Sequence, residues 1–289
     1  MNVTITGGSG FIGRAVADRL RAAGHAVTSI SLRTTPPPED FAGCDAIVHL
    51  AGEPVAQRWT AAARERIRES RIEGTRSLVA ALRREPPRVL ISASAVGYYG
   101  SRGDEILAED AAPAADFLGQ VAAGWEREAR AAQEFGVRVV TPRIGVVLGR
   151  GGGALARMLP PFRWGLGGRL GTGRQWMSWV HLDDLVALIE FAIADSTLSG
   201  PVNAVSPQPV TNAEFTRELA AVLHRPAIFP VPAAALKLLF GEMAQVLLTG
   251  QRVIPEAALR AGFEFRYSDV GRALAASLGS HNTSGTPST

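Results

Sequence analysis

A parallel α/β sheet with helices on both faces, carrying a small and mostly helical C-terminal lobe, is the fold this 289-residue sequence predicts. Three observations predict it. Short β-branched or apolar runs alternate with stretches of helical periodicity through about residue 148, as crossover-connected parallel strands require. A glycine cluster separates the first such run from the first helical stretch. Beyond Leu148 the alternation gives way to glycine-rich loops and short helical segments.

Each element follows from local pattern. "NVTIT" (2–6) reads as a strand, and Phe11, Ile12, Ala15, Val16 and Leu20 then recur at helical spacing until Gly24 ends the helix. "HAVTSISL" (25–32) is a second strand, left through "TTPPP". "AIVHLA" (46–51) is a third, followed by a helix from Thr60 to Leu82. "RVLISAS" (88–94) is the fourth strand, Phe117 to Gln133 the next helix, and "VRVVTP" (137–142) the strand after it. In the second part, "GRGGG" and "GLGGRLGTG" are loops, "HLDDLVALIEFAIA" is a helix opened by an aspartate cap, and short helices fill 212–277.

This pattern divides the chain into a nucleotide-binding domain over 1–148, to which segments such as 174–205 can return, and a smaller substrate or ligand lobe over 149–278. The polar, turn-rich stretch 279–289 is expected to be a disordered tail without function.

Composition narrows the partners to small molecules. The net charge is only +3, and the basic residues are scattered beside Glu and Asp with no basic stripe and interleaved aromatics, which argues against nucleic acid. Apolar runs are broken well short of the ~18 residues a membrane helix needs. "NVTIT" begins at Asn2, leaving no room before it for a signal peptide, so a cytoplasmic location is expected. The single cysteine, Cys44, excludes an intrachain disulfide and a multi-cysteine metal site, and no metal is expected. A homodimer is compatible with the sequence.

"TGGSGFIG" (6–13) carries the chemistry of a dinucleotide site. Gly7 makes the tight turn, Gly10 lets the backbone approach a pyrophosphate, and Gly13 permits close helix–sheet packing, so the sheet is of Rossmann type. A diphosphate would sit on the helix N-terminus, where unbonded N–H groups and the dipole favour an anion. The end of the second strand selects the dinucleotide. An acid there would bind the ribose 2′-hydroxyl of NAD, but "SISLRTT" has no acid and offers Arg33, which points to the 2′-phosphate of NADP over NAD.

With its TGxxGxxG spacing the chain resembles the extended short-chain dehydrogenase/reductase superfamily, the NAD(P)-dependent epimerase/dehydratase group. "HLAGEPVAQRWT", "SRIEGTRSLVAAL", "SASAVGYYG", "RIGVVLGRGGGAL", "GRQWMSWVHLDDL" and "RVIPEAALRAGFEFRYSDV" follow one another as in an atypical branch of it. That branch is labelled TIGR-type epimerases or SulA-like proteins and ends in a domain of unknown function. The resemblance covers about residues 1–278.

The resemblance implies a set of roles. Gly7, Gly10, Phe11, Ile12 and Gly13 would cradle the diphosphate, and Arg33 would approach the adenosine phosphate. His49, Leu50, Ala51 and Gly52 would line the adenine and ribose path. Arg71 stands where many members have an asparagine near the cofactor and would add a phosphate contact. Arg143 and Ile144 would lie toward the nicotinamide. Arg33 falls one residue later than in several branch members.

Typical members work with a tyrosine and a lysine one helical turn apart, assisted by a serine on the fourth strand. A free phenol has a pKa of ~10 and ionises near neutrality only beside a cation. Here the only lysine is Lys237, no tyrosine has a lysine one turn on, and "DFLGQVAAGWERE" (116–128) has apolar or small residues in the catalytic places. Ser94 fits the serine position, and Tyr98 or Tyr99 are the candidates to replace the acid; the alternative is that both tyrosines line the pocket or pack the loop.

His181 is expected to organise the lobe junction. Met177 stands where nucleotide-sugar members carry an arginine, which disfavours a UDP-sugar. Glu53, Arg174 and Trp176 are candidates for the substrate cleft. The reading is an NADP(H)-binding oxidoreductase or epimerase-like protein acting on an unidentified small molecule. The alternative is an inactive NADP(H)-binding sensor or interaction protein.

Overall fold

In the computed structural model the described residues are 1–279; the expected tail lies outside them from residue 280 onward. The chain runs through β1 (Asn2–Thr6), α1 (Phe11–Ala22), β2 (Ala26–Ile30), β3 (Ala46–His49), α2 (Ala61–Leu82), β4 (Val89–Ser92), β5 (Ser94–Ala95) and β6 (Ile106–Leu107). It continues through α3 (Phe117–Arg130), β7 (Arg138–Ile144), β8 (Val146–Leu148), α4 (Gly153–Arg163), β9 (Trp176–Met177), β10 (Trp179–His181), α5 (Leu182–Ala194) and β11 (Gly200–Ala204). The remainder comprises β12 (Val210–Thr211), α6 (Asn212–Leu223), α7 (Ala233–Phe240), α8 (Ala244–Leu248), β13 (Arg252–Val253), α9 (Glu256–Arg260) and α10 (Val270–Leu278).

The central sheet has seven strands, ordered β11-β7-β4-β3-β1-β2 with β5 extending β4's pairing along β7. Every pairing in it is parallel. Strand alternation sends neighbouring side chains to opposite faces. On one face Val3, Ile5, Val48 and Ile91 pack with Val16, Leu20, Leu185 and Ile189 of α1 and α5. On the other, Ile47, Leu90 and Val139 pack with Leu78, Leu82 and Ala129 of α2 and α3. Each fully buried Leu or Ile contributes about 1.5–3 kcal/mol by leaving water, so both faces are needed to hold the strands.

The chain steps from β1 outward to β2 and then crosses back to β3 on the other side of β1. Strand order reverses there, and in open parallel sheets the crevice beyond the strand C-termini at such a point is where ligands bind. The crossover from β2 to β3 has no α-helix. A 3₁₀ turn, Pro38–Phe41, takes its place and buries Phe41 against the α2 side of the core.

β11 returns to the sheet beside β7 after α5 has packed on α1. In the C-terminal region α4, α6 and α10 pack around Leu155, Trp179, Phe215, Leu219 and Leu274, while α9 packs Ala257 and Ala258 back against β11 in the core of the sheet. One local expectation fails here. α5 is capped by His181, whose Nδ1 accepts from the Asp183 amide at 3.2 Å, and not by an aspartate. Asp184 is instead turned to the lobe, accepting from the backbone amides of Arg266 and Tyr267 at 3.0 and 2.9 Å. Among the described residues no helix is long and apolar enough to cross a membrane, and no cluster of potential metal ligands occurs.

Candidate functional site

The first part of the site is a backbone cradle at the β1/β3 switch point. Gly7 has φ +75°, and a Cβ there would lie 2.7 Å from the Ala51 nitrogen and the Leu50 carbonyl carbon. The turn after β1 therefore rests directly on the exit of β3. A Cβ on Gly13 would collide with the Gly7 carbonyl oxygen, so α1 can approach the turn only without a side chain at that position. Gly10 caps α1 without any side-chain hydrogen bond, which leaves the first-turn amides of Phe11 and Ile12 without a side-chain acceptor. A glycine-lined turn on a helix N-terminus fits a diphosphate in space and in charge. The Phe11 ring is covered by the 149–153 loop, where a Cβ on Gly149 would come within 3.0 Å of it.

Arg33 is exposed just past β2, and since Thr6 pairs with Ile30 it belongs to the same sheet edge as the glycine turn. Leu50 and Ala51 are half-buried and Gly52 exposed at the β3 exit. His49 departs from its expected role. It is fully buried, with the Thr6 and Thr75 hydroxyls 2.6 and 2.9 Å from its two ring nitrogens. Burial, and then the nearby Arg71 charge, hold its pKa down to about 3. It is a neutral tie between β1, β3 and α2, with no surface to offer an adenine or ribose.

The second part is a buried polar hub, centred on a residue sequence reasoning missed. Glu126 of α3 accepts from Arg143 Nε at 2.8 Å and Nη2 at 2.9 Å, and from the Ser94 hydroxyl at 2.7 Å. Arg143 Nη1 donates to the Tyr99 hydroxyl at 2.8 Å and the Glu109 carbonyl at 2.9 Å, and Tyr99 donates to Asn203 Oδ1 at 2.6 Å. The guanidinium also lies 3.5 Å from the centre of the Tyr98 ring. Burial works against the Arg143 charge, but the Glu126 hydrogen bonds and charge outweigh it and raise its pKa.

The hub holds four of the expected site residues. Arg143 is buried and its guanidinium is committed to protein groups. Ser94 is buried and spends its proton on Glu126. Tyr99 is fully buried, and burial pushes its pKa up to about 12 despite Arg143. Tyr98 is half-buried as the platform under Arg143, and neither it nor Ser94 lines the open cleft. A signal for Glu126 existed: it lies one turn from Ala122 and just ahead of Ala129, both buried, so helical periodicity places its carboxylate on the buried side of α3.

The third part is a cleft of about 690 Å³ beyond the β4 and β7 ends. Leu118, Val121, Ala122 and Trp125 of α3 form its floor, with Ile144 at the exit of β7. Leu118 and Ala122 are one helical turn apart, the spacing a tyrosine–lysine pair would need, and both are aliphatic. The lobe adds Met158, Trp176, Met177 and the Met243–Leu247 region, and Trp59 closes another side. Trp176 lines the cleft, held by Nε1 donating to Asp104 at 2.7 Å. Two other substrate candidates do not. Arg174 is exposed and outside the cleft, and the Glu53 carboxylate accepts from Gln57 at 3.0 Å away from it.

Arg71 reaches the cleft from α2. Its Nη1 donates to the Glu53 and Ile67 carbonyls at 2.9 and 3.3 Å, its guanidinium lies 5.1 Å from the Trp125 ring centre, and a Cβ on Gly52 would sit 3.1 Å from its Cζ. Burial pulls its pKa down to about 10, partly offset by Glu53.

Comparison with known proteins agrees with this geometry. Residues 3–204 match the model of the NAD dependent epimerase/dehydratase family, and residues 231–277 match a domain of unknown function, DUF1731. The chain is 45% identical to the epimerase family protein Mb2239 of Mycobacterium bovis, over 94% of this chain and 96% of that protein. A crystal structure of human epimerase family protein SDR39U1 (isoform 2) with NADPH superposes with a TM-score of 0.89 at 36% identity, covering 97% of this chain and 100% of that one. MoeE5 in complex with UDP-glucose and NAD shares the fold alone, with a TM-score of 0.79 at 20% identity over 96% of this chain and 98% of that one.

Proposed function

The chain belongs to the NAD dependent epimerase/dehydratase family, and on that premise we propose that it binds NADP(H) and acts as an oxidoreductase or epimerase-like protein on a small molecule in the adjoining cleft. The observation that carries the reading is the glycine cradle packed on the β3 exit, with Arg33 and no acid beyond β2. The similarity to an NADPH-bound relative along its whole length supports it. In this reading the amides at the start of α1, with Gly7, Gly10 and Gly13, hold the diphosphate. Arg33 pairs with the 2′-phosphate, and Leu50, Ala51 and Gly52 line the path between them. Bound NADP(H) supplies a hydride donor or acceptor.

The protein's own contribution is exclusion of water and orientation. Apolar walls from α3 and from the C-terminal region surround the reacting region, and the Glu126–Arg143 hub ties α3 to β5 and β7 beneath it. No tyrosine–lysine pair takes part. Fluorescence titration with NADPH and NADH tests the reading. NADPH is expected to bind at least tenfold tighter, and Arg33→Ala to remove most of that difference while leaving NADH affinity as it was. NADH binding as tightly as NADPH overturns it.

A second reading rests on one observation: the Ser94 and Tyr99 hydroxyls are committed to Glu126 and Asn203. A protein with no proton donor at the nicotinamide would serve as an NADP(H)-dependent sensor. It predicts NADPH-dependent stabilisation with no turnover, and sustained NADPH oxidation with any substrate removes it.

A further inference from the structure

The cleft has a chemical bias unlike that of a nucleotide-sugar site. Its walls are dominated by Val, Leu, Met and Trp side chains, and Arg71 is the one basic side chain among the described residues lining it. Two acids also line it, and both are engaged: Asp116 caps α3 through the Gly119 amide at 2.8 Å, and Glu242 at the rim accepts from Arg64 at 2.9 Å.

Arg71 is not engaged in the same way. Its only acceptors among the described residues are two backbone carbonyls, both reached through Nη1, and it has no carboxylate partner. The Nε and Nη2 donors remain, in the fork geometry that matches a carboxylate. Beneath it the Trp125 Nε1 is buried and also without an acceptor. A half-buried cation in an apolar cleft is costly unless an anion compensates it. Gly7, Gly10 and Gly13 do not line this cleft, and Gly52, against which the Arg71 guanidinium packs, stands between the cradle and Arg71.

We infer that the cleft takes an apolar small molecule ending in a single carboxylate, bound by Arg71, in place of a nucleotide sugar. The inference rests on the cleft being the substrate site of an NADP(H)-binding protein. Apolar carbon chains or rings would fill the Leu118–Trp125 floor, where a sugar's hydroxyls would lose their hydrogen bonds to water, and Met177 offers no donor to a diphosphate.

The test uses the full chain saturated with NADPH, titrated calorimetrically with hexanoate, decanoate and 3-phenylpropanoate, with the matching primary amides, and with UDP-glucose. At least one carboxylate is expected to bind tenfold or more tighter than its amide and than UDP-glucose. Arg71→Met is expected to remove that preference and Arg71→Lys to restore part of it, with NADPH affinity within twofold of the unaltered protein in both. Amides binding as well as acids, or UDP-glucose binding best, overturns the inference. So does an NADPH affinity that falls with Arg71→Met in proportion to the carboxylate's, since Arg71 would then serve a cofactor phosphate. These comparisons on the unaltered protein decide the matter even if a variant fails to fold, and failure of NADPH itself to bind rejects the cofactor reading separately.

Discussion

Glu126 and Arg143 form a two-pronged ion pair sealed from solvent, with carboxylate oxygens 2.8 and 2.9 Å from the guanidinium nitrogens. It joins α3 to β7 at the point where β7 leaves the sheet for the cleft. Removing one partner of such a pair strands the other charge in a low-dielectric interior. Glu126→Ala is therefore expected to destabilise the fold by about 3–5 kcal/mol, read from urea unfolding midpoints. A loss below about 1 kcal/mol, the scale of an exposed pair, would show that the pair is not sealed.

Tyr99 tests the same hub from the other side. Tyr99→Phe leaves Arg143 Nη1 with only the Glu109 carbonyl and deprives Asn203 Oδ1 of its donor. The expected cost is about 1–3 kcal/mol of stability, with NADPH affinity unchanged in fluorescence titration. A stable variant with altered NADPH binding would tie Tyr99 to the cofactor site.

His49 makes stability depend on pH with a definite sign. Its folded pKa, about 3, lies below the usual 6.5. The native state therefore binds fewer protons, so the stabilisation is fully present above 6.5 and is lost as pH falls toward 3. At pH 5 the loss from this group alone is about 2 kcal/mol. Urea titrations of the unaltered protein and His49→Gln, at pH 7 and pH 5, isolate it: the fall between the two should shrink by that amount in the variant. Equal falls would mean that His49 is protonated, or accessible, in the folded protein.

Gly13 offers a steric test of the cradle. A methyl there would strike the Gly7 carbonyl and the Gly8 Cα, 2.8 Å away, so either α1 or the turn must move. Gly13→Ala is expected to weaken NADPH binding at least a hundredfold. Gly24→Ala is the control, because nothing lies within 4 Å of a Cβ there; its φ of +83° adds a modest loss of stability without touching the cradle. Unchanged NADPH affinity in Gly13→Ala would separate the glycine turn from the cofactor.

Local signals were legible wherever one segment suffices. β1 matches its expected residues, α2 starts one residue inside the expected Thr60, and the glycine turn could be recognised because its chemistry is backbone approach. The cap of α5 was not legible: the helix starts at Leu182, which puts His181 at the cap and both aspartates in the first turn, where Asp184 accepts from amides of Arg266 and Tyr267, remote in sequence. Ser94, Tyr98 and Tyr99 looked like half a catalytic centre because hydroxyls in a glycine-flanked turn carry no mark of what will face them. Glu126, separated from Ser94 by 32 residues and from Arg143 by 17, supplies that missing partner.

The sequence by itself determined the parallel sheet, the glycine cradle at its switch point, Arg33 in place of an acid, and the absence of a tyrosine–lysine pair, because each is a property of residue type and short-range spacing. Only the tertiary structure decided that Ser94, Tyr99 and Arg143 are bound to one another through Glu126, that His49 is a neutral tie, and that Arg71 stands alone as a cation on an apolar wall. Burial and pairing are set by which distant segments pack together, and a side chain's proton, charge and access to ligand follow from them.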